Sequence, residues 1–439
     1  KETLEITSQR DEEHIQKAIN IMETTKTPRS NKSWLNFSMG LSGAPKAVSI
    51  HASGVVISKD EFSGVVPTFK VNQESETALM ADMHTVSKLG FVKFDLLGLT
   101  TLDIIKLTIQ FIRKNHNIVI DPYSIPLDDV RTYNLFQSGN TCRIFQMEGG
   151  GFAAMLRHLR PTEFEHIIAM NALYRPGPLA YDPTIKMSMA DKYINTKNGV
   201  MPATPIHELV DDVLAPTHYM MLFQEQIMEV SRRVAGYTMA EADNLRKIVG
   251  KKLVDKIEEE GNRFVEKAVS IGRNKEFAKY IWDLIKPAGR YSWGRAHAAA
   301  YGMITYITAY LKANYLAEFM CANLIMVDAK QHKTIIDDCR RNGVLVMRPD
   351  VNKSSNTFSV TDGKIYIGLS AIKGVGSAVV GGIISGRDSK GEFTSFADFY
   401  NRNKSVPSNV LTQIILAGGL DWQEQTRQTL VENVSNFKG

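Results

Sequence analysis

The stretch GFVKFDLLGLTTLDII, residues 90–105, changes its hydrophobic period halfway along. Apolar and charged residues alternate first, which predicts a β-strand over residues 91–94 that ends at Asp95. Because successive side chains of a strand point to opposite faces, Lys93 and Asp95 share one face. The second half has helical spacing, and a helix is expected over residues 102–113. The stretch thus predicts a strand followed directly by a helix.

Other parts of the chain are mainly helical in pattern. Helical spacing is found in residues 152–159, 164–173, 222–234, 240–249, 253–270 and 301–324. Residues 44–57 are β-like, and residues 356–369, NTFSVTDGKIYIGL, place a TDG turn between alternating apolar residues, which predicts a hairpin. Residues 371–387 contain two short helical runs around a Gly-Val-Gly turn. Together these patterns predict an α+β fold that is mainly helical.

Length and composition narrow the class of protein. The chain has 439 residues, which predicts two to four domains, and its hydrophobic content of 44% is ordinary for a soluble globular protein. No apolar run is long enough to span a bilayer and no signal peptide opens the chain. Three scattered cysteines indicate a reducing compartment and argue against a disulfide framework or a structural zinc site.

The net charge of +5 is only mildly basic, but the cations are clustered. Residues 284–317 contain no acidic residue. The two basic clusters consist of Lys286, Arg290, Arg295 and Lys312, and of Arg246, Lys247, Lys251 and Lys252. A phosphate backbone would be attracted to such clusters. Taken alone, however, charge clusters of this kind are more often solvated helix faces.

Two short motifs have a chemical and a structural interpretation. In VKFDLLGL, Asp95 could hold Mg²⁺ while Lys93 meets a triphosphate, although a surface ion pair is the commoner role of such a strand pair. In NALYRPGPL, the Pro-Gly-Pro that follows Arg175 stiffens the loop and fixes the direction of the guanidinium. A rigid helix connection with a surface arginine explains that motif equally well.

Two further motifs combine cations with glycine or aromatic residues. In DNLRKIVGKKL, adjacent cations on one helix repel unless an anion lies beside them, and the alternative is a basic helix face. In GRYSWGRAHAAAYG, residues 289–302, aromatic rings alternate with Arg295 and His297, a mixture that can stack on bases and contact phosphates. The alternative is a buried aromatic cluster around a hydrogen-bonded histidine.

The turn in AIKGVGSAVVGGI is similar to a helix-hairpin-helix. In that motif, backbone N–H groups at a helix N-terminus bind a DNA phosphate without reading the base sequence. Gly374 and Gly376 would leave these groups accessible, and Lys373 would add a positive charge. Gly-Val-Gly turns also occur in unrelated folds. The preceding lysine makes this turn a moderately specific signal.

The order of the motifs is more specific than any one of them. HASGVVI, VKFDLLGL, IFQMEG, ALYRPGP, LFQEQIM, LRKIVGKK, RAHAAAYG, YLKANYLAEFM and IGLSAIKGVG follow one another over residues 45–421. In this order and spacing the chain resembles the C-terminal part of the catalytic core of bacterial DNA polymerase III alpha subunits. These are C-family replicative polymerases, and the likeness is to their DnaE-type branch.

The resemblance implies a domain layout. It comprises a thumb remnant at 1–43, the C-terminal part of a palm at 44–110, fingers at 111–345, a strand hairpin with a helix-hairpin-helix region at 346–421, and a tail at 422–439. The palm would be the end of a sheet of the polymerase-beta-like nucleotidyltransferase type, and the fingers would be large and helical.

The resemblance also implies roles for single residues. Asp95 matches the third catalytic aspartate of the palm, which implies that it is a metal ligand. The implied nucleotide-binding residues are Lys93, Arg175, Arg246, Lys247 and His297. The implied DNA-binding residues are Lys251, Lys252, Arg295, Lys373, Gly374 and Gly376.

The chain departs from the family pattern at several positions. Lys247 stands where the family usually has a second arginine, and a lysine lacks the bidentate fork of a guanidinium. Arg295 and Ala298 stand where the family has Lys and Ser, which puts any role of a hydroxyl there in doubt. His51 opens the palm block.

Two further palm aspartates of the family, in an Asp-x-Asp motif, have no counterpart in residues 1–50. The chain opens at Lys1 and not at a methionine, which suggests a start within a longer protein. We therefore expect one part of a split or incomplete DNA polymerase, a nucleotidyltransferase that is inactive without its N-terminal part. The alternative is a non-catalytic DNA-binding or replisome-assembly subunit derived from a polymerase.

The resemblance implies ligands and partners as well. Two Mg²⁺ ions would be shared with carboxylates outside this chain. The expected partners are primer–template DNA, a dNTP and an N-terminal polymerase chain with the Asp-x-Asp motif. Contact with a sliding clamp or other replisome proteins stays open, and no membrane partner is expected. The expected location is the cytoplasm of a bacterial or phage-infected cell.

Overall fold

The structure, a computed structural model, describes residues 50–51, 53–62, 64–70, 73, 76–96, 98–250 and 254–438. The chain divides into two compact units, Lys1–Leu99 and Thr100–Gly439. The thumb remnant predicted at 1–43 and the β-like residues 44–49 lie outside the described residues.

The first unit contains two small antiparallel ladders. Its elements are β1 (Gly54–Ile57), β2 (Thr68–Phe69), β3 (Ala78–Leu79), α1 (Met83–Lys88) and β4 (Val92–Asp95). Strand β1 pairs with β4 so that Gly54 is opposite Asp95 and Val56 is opposite Lys93. The predicted strand ending at Asp95 is therefore confirmed. The other face of this ladder carries exposed apolar side chains, namely Val55, Ile57, Val92 and Phe94.

The second unit begins with a helical layer around one large core. Its helices are α2 (Thr100–His116), α3 (Val130–Ser138), α4 (Gly150–Leu159), α5 (Phe164–Leu173), α6 (Pro176–Leu179) and α7 (Met189–Lys197), with β5 (Tyr181–Asp182) and β6 (Met187–Ser188) between the last two. The helix predicted over 102–113 is confirmed and is longer by a few residues at both ends. The core includes Ile112, Phe136, Leu156, Ile167 and Tyr193.

A second core lies under the next group of helices. They are α8 (Asp211–Leu214), α9 (Gln224–Ala235), α10 (Met239–Gly250), α11 (Val254–Ser270) and α12 (Lys275–Tyr291). Their shared core includes Ile227, Leu245, Phe264 and Ile285. Helices α10 and α12 approach closely at Gly289, where an added Cβ would lie 2.0 Å from Cγ1 of Val249. Only glycine allows this contact without a shift of one helix.

Residues 301–324, expected as one helix, belong to two. Helix α13 (Arg295–Asn314) ends at Tyr315, whose φ of −141° and ψ of 54° are not helical, and α14 (Leu316–Met326) follows. The single-helix prediction is therefore wrong. Helix α13 packs on α3 and α5, α14 packs on α2, and α15 (Ala329–Arg341) packs on α14. These helices complete the first core.

The C-terminal region combines a small sheet with short helices. Strands β7 (Val346–Met347), β8 (Ser359–Thr361) and β9 (Lys364–Tyr366) form a sheet in the order β7-β9-β8. The predicted hairpin is confirmed: β8 and β9 are antiparallel, and Asp362 and Gly363 both have positive φ, at 51° and 68°. A turn with two positive φ angles matches the twist of the strands it joins.

The last helices are α16 (Ser377–Lys390), α17 (Phe396–Arg402), α18 (Ser408–Leu416) and α19 (Arg427–Lys438). Of the two helical runs expected around Gly-Val-Gly, the first is only a 3₁₀ turn, Leu369–Ala371. Within the described ranges, no helix is both long and apolar enough to cross a membrane. The fold is α+β and mainly helical, as the sequence predicts.

Candidate functional site

Lys93 and Asp95 lie on the polar face of the β1–β4 ladder. The Lys93 ammonium donates a hydrogen bond to Oδ1 of Asp95 over 2.5 Å. The lysine stem passes close to Gly54, where an added Cβ would lie 3.0 Å from Cε of Lys93 and 3.3 Å from Nδ1 of His51. A larger residue at Gly54 would therefore displace both side chains. His51, Lys93 and Asp95 thus lie together at one end of the ladder.

Asp95 is the candidate metal ligand of this end. Its carboxylate is half-exposed, and oxygen ligands of this kind are preferred by Mg²⁺. Across the described ranges, however, no group of three or more His, Cys, Asp or Glu side chains is arranged to hold a metal ion. Two-metal catalysis requires ions about 3.5–4 Å apart, held by several ligands. Asp95 could supply one oxygen ligand of such a site.

Arg175 lies at the start of α6, in the second unit. Its Nε and Nη2 donate to the carbonyl oxygen of Ala172 over 2.9 and 2.8 Å, and Nη2 also donates to the carbonyl of Tyr291 over 2.5 Å. The guanidinium carbon is 4.3 Å from the ring centre of Trp293. Burial lowers the pKa of Arg175. None of the described carboxylates forms an ion pair with it, and its hydrogen-bond partners are the two backbone carbonyls.

Trp293 begins a row of aromatic rings that runs into α13. Its ring meets that of His297 edge-on at 5.3 Å, and His297 stacks on Tyr301 at 4.3 Å with an angle of 23°. Together with Arg175 and Asn171 these residues line a cleft of about 340 Å³. The structure therefore brings the predicted residues Arg175 and His297 into one cleft. Arg175 supplies its positive charge, and the rings supply its aromatic faces.

A short backbone pairing joins this cleft to the start of α9. The N–H of Trp293 donates to the carbonyl of Leu222 over 3.1 Å, and the N–H of Gln224 donates to the carbonyl of Trp293 over 2.9 Å. Sequence reasoning gave Trp293 no separate role and gave Gln224 none at all. Gln224 stands in LFQEQIM and Trp293 in GRYSWGRAHAAAYG, but neither motif shows the pairing, because it joins positions about 70 residues apart.

Arg246 and Lys247 lie on α10 and share one carboxylate. Nε and Nη2 of Arg246 donate to Oδ1 of Asp243 over 2.9 and 2.7 Å, and Lys247 contacts Oδ2 over 2.7 Å. These bonds, first that of Lys247 and then that of Arg246, lower the pKa of Asp243. The anion expected beside the two cations is therefore supplied by the helix itself. Nη1 of Arg246 also donates to Oε1 of Gln224 over 3.0 Å.

Arg295 is engaged with acidic residues on two other helices. Its Nη2 donates to both carboxylate oxygens of Glu165, over 2.7 and 2.9 Å. Its backbone N–H donates to both oxygens of Glu225, over 2.9 and 2.8 Å. The side chain proposed for DNA thus has a carboxylate partner of its own. Lys251 and Lys252, the other predicted DNA contacts of this region, lie outside the described residues.

The Lys373–Gly376 turn precedes α16 and is exposed except for the buried Val375. The N–H of Val375 donates to the carbonyl of Ile372 over 3.1 Å, which closes the turn. Gly374 has a φ of +87°, which side chains other than glycine rarely adopt. Gly376 has an ordinary φ of −79°, and an added Cβ there would meet nothing within 4 Å. The two glycines therefore have different roles. Gly374 allows the turn, and Gly376 leaves the outer side of the turn open.

Three family models match the chain. Residues 2–98 match the bacterial DNA polymerase III alpha NTPase domain, residues 101–272 match the bacterial DNA polymerase III alpha subunit finger domain, and residues 343–430 match a helix-hairpin-helix motif. The three matches follow one another in the order that the motifs predict. The finger match contains Arg175 and Arg246, and the helix-hairpin-helix match contains the Lys373–Gly376 turn.

Relatives described as DNA polymerase III subunit alpha are similar over most of the chain. The protein from Saccharopolyspora erythraea is 35% identical over 96% of this chain and 35% of its own length. That from Borreliella burgdorferi is 37% identical over 92% and 35%, and that from Thermus aquaticus is 36% identical over 88% and 32%. The chain spans about a third of the length of these relatives. It belongs to the family of bacterial DNA polymerase III alpha subunits.

Proposed function

We propose that this chain is one part of a template-directed DNA polymerase. In the reaction, the 3′-hydroxyl of a primer attacks the α-phosphate of a dNTP, and pyrophosphate leaves. The observation that carries the proposal is the guanidinium of Arg175, which has no carboxylate partner among the described residues and is stacked on Trp293 at the edge of an aromatic cleft. A half-buried cation beside aromatic faces is complementary to a nucleotide, which offers phosphate charge and a flat base.

In this proposal the nucleotide is held from two sides. Trp293, His297 and Tyr301 provide faces for the nucleoside, and Arg175 provides positive charge. Arg246 and Lys247 take the triphosphate by exchanging the carboxylate of Asp243 for phosphate oxygens. Such an exchange is favourable because a triphosphate carries more negative charge than one aspartate.

Lys93 and Asp95 provide the palm contribution. Asp95 would hold Mg²⁺, which neutralises charge on the phosphates, and Lys93 would contact the triphosphate once its bond to Asp95 is exchanged. The other metal carboxylates would come from an N-terminal polymerase chain or segment with the Asp-x-Asp motif.

Duplex DNA would be held by the helix-hairpin-helix region. The open outer side of Gly376 and the exposed Lys373 support a phosphate contact there that is independent of base sequence. Lys251, Lys252 and Arg295 stay proposed DNA contacts. The setting would be the cytoplasm of a bacterial or phage-infected cell, with a sliding clamp or other replisome proteins as further partners.

The alternative is a non-catalytic DNA-binding or assembly subunit. It is favoured by the engagement of both cations of α10 with Asp243, and by the lack of a group of metal-binding side chains among the described residues. Both functions predict duplex binding, so nucleotide binding and turnover distinguish them.

The test combines two measurements on the same preparation. Calorimetric titration of the chain with primer–template and a dNTP should show nucleotide binding that Arg175→Ala weakens. Primer extension with Mg²⁺ should be absent for the chain alone and should appear when the N-terminal part of a relative is added. Duplex binding without nucleotide binding or extension would favour the assembly subunit. Robust extension by the chain alone would contradict the need for further carboxylates.

A further inference from the structure

The motif LFQEQIM, residues 222–228, has no role in the proposed function so far, yet three of its consecutive side chains bond to different parts of the second unit. Gln226 is buried and holds the motif itself in place. Its Oε1 accepts the N–H groups of Leu222 and Phe223 over 3.0 Å each, and its Nε2 donates to Oγ1 of Thr217 over 2.7 Å. The positions of the two side chains that precede it, Gln224 and Glu225, are thereby fixed.

Glu225 holds the start of α13. Its carboxylate accepts the N–H of Arg295 over 2.9 and 2.8 Å and the N–H of Ala296 over 3.4 Å. The first N–H groups of a helix have no partner within the helix, so an external acceptor determines where the helix begins. His297 is in the same turn, and its ring forms part of the cleft wall. Glu225 therefore determines where that ring lies.

Gln224 holds Arg246, on the other side of the proposed nucleotide site. Its side-chain oxygen accepts a hydrogen bond from Nη1 of Arg246 over 3.0 Å, while its own N–H bonds to the carbonyl of Trp293. A neutral amide orients a guanidinium without cancelling its charge, whereas a carboxylate partner cancels it. One nitrogen of Arg246 is thus aligned by Gln224, and the charge stays available to an anion that displaces Asp243.

We infer that Gln224 and Glu225 are positioning residues, which hold Arg246 and the Trp293–His297 segment in one fixed relation. The inference rests on the proposed function, because the two sides matter jointly only if one nucleotide contacts both. Neither residue has to touch the nucleotide. Their common origin at the start of α9 means that a displacement of this turn changes both sides of the site together.

A double-substitution cycle tests the Gln224 contact. Dissociation constants of a dNTP are measured by calorimetry on the full chain with primer–template, for Gln224→Leu, Arg246→Ala and the double variant. Arg246→Ala should weaken binding about ten- to hundredfold, and Gln224→Leu about three- to tenfold. In the Arg246→Ala background, Gln224→Leu should have almost no further effect, because the group that it positions is gone.

Two comparisons separate positioning from general damage. Arg232→Ala, which removes an exposed arginine paired with Glu229 on the same helix as Gln224, should leave dNTP affinity unchanged. Glu225→Ala should weaken dNTP binding, while Glu225→Gln, which keeps an acceptor for the N–H groups of α13, should restore most of it.

The outcomes distinguish this inference from the proposed function. If the wild-type chain binds no dNTP, or Arg246→Ala changes nothing, the proposed nucleotide site is wrong and the inference fails with it. If Arg246→Ala weakens binding but Gln224→Leu does not, only the inference is overturned. Equal losses from Gln224→Leu in both backgrounds, or equal losses from Glu225→Ala and Glu225→Gln, would also overturn it.

Discussion

Nζ of Lys312 lies 2.8 Å from Oδ2 of Asp338, and both side chains are almost completely buried. The lysine also donates to the carbonyl oxygens of Asn140 and Cys142 over 3.1 and 2.9 Å. Its ammonium therefore has a full set of acceptors, which a buried charge requires. The pair joins α13, α15 and the loop after α3, so it connects three parts of the first core.

Lys312→Met should destabilise the second unit strongly. The substitution leaves Oδ2 of the buried Asp338 and two carbonyl oxygens without their donor, while Arg341 still donates to Oδ1, and we expect a cost of about 3 kcal/mol. Lys330→Met is the matched control, since Lys330 is exposed and pairs with the exposed Asp328 over 3.1 Å, a contact worth about 0–1 kcal/mol. Urea unfolding followed by circular dichroism measures both. Equal shifts of the two midpoints would contradict the structural role of the buried pair.

His166 predicts a loss of stability in mild acid. Burial is the first cause that lowers its pKa from 6.5 to about 4, and its Nδ1 accepts the N–H of Thr162, which requires a neutral ring on that side. The unfolded chain therefore takes up a proton near pH 6.5 and the folded chain only near pH 4. The free energy of unfolding should fall by about 1.4 kcal/mol per pH unit in the middle of this window.

The variant His166→Asn tests that pH dependence, because asparagine keeps an acceptor near the position of Nδ1 and does not titrate. Its unfolding midpoint in urea should change less between pH 6.5 and 4 than that of the wild type. His158→Asn, at an exposed position on α4, should leave the pH dependence as it is. Parallel curves for wild type and His166→Asn would show that other groups cause the acid sensitivity.

Periodicity predicted much of the fold because many elements are amphipathic on their own. It failed at residues 301–324, because no glycine or proline stands near Tyr315 to mark the break there. The cause is tertiary: Glu318, at the start of α14, is buried and accepts hydrogen bonds from His116 over 2.9 Å and Asn115 over 3.0 Å. These bonds to the end of α2 fix the direction of α14, and no local pattern contains them.

The candidate site was also predictable only in part, because local motifs show single residues and not the contacts between them. Arg175 and His297 were found because each stands in a short motif with an unusual composition. The contacts that join these motifs, such as Trp293 with Leu222 and Gln224 with Arg246, link distant positions. The acidic partners of Arg246 and Arg295 were missed as well, because a charge pattern does not show which carboxylate faces which cation.

Asp95→Ala should abolish primer extension in an assembly of this chain with the N-terminal part of a relative. Removing one metal ligand destabilises the transition state far more than the bound ground state, so duplex affinity should survive. Asp60→Ala, at an exposed aspartate of the same unit, serves as the control and should keep both properties. Single-turnover extension and duplex titration are the measurements. Near-normal turnover of Asp95→Ala would show that Asp95 is only an ion-pair partner of Lys93.

The turn before α16 gives the last prediction. Replacing Gly374 would confound two effects, because its φ of +87° is strained for any other residue. Gly376 is the cleaner position: its backbone is ordinary and an added Cβ meets no atom within 4 Å, so Gly376→Val should leave the fold intact. The new side chain would nevertheless stand between the N-terminal N–H groups of α16 and an approaching phosphate.

Gly376→Val should therefore weaken duplex binding by a similar factor for every base sequence, since phosphate contacts position a protein without reading bases. Lys373→Ala should flatten the plot of log affinity against log salt by about one unit, because one exposed cation fewer releases one counterion fewer. Gly381→Val, on an exposed part of α16 where an added Cβ also meets nothing, controls for bulk alone. Affinities for two unrelated duplexes at several salt concentrations decide the matter. If folded Gly376→Val and Lys373→Ala keep the wild-type affinity and slope, the hairpin is a packing element, and duplex binding must come from the basic residues of the predicted fingers.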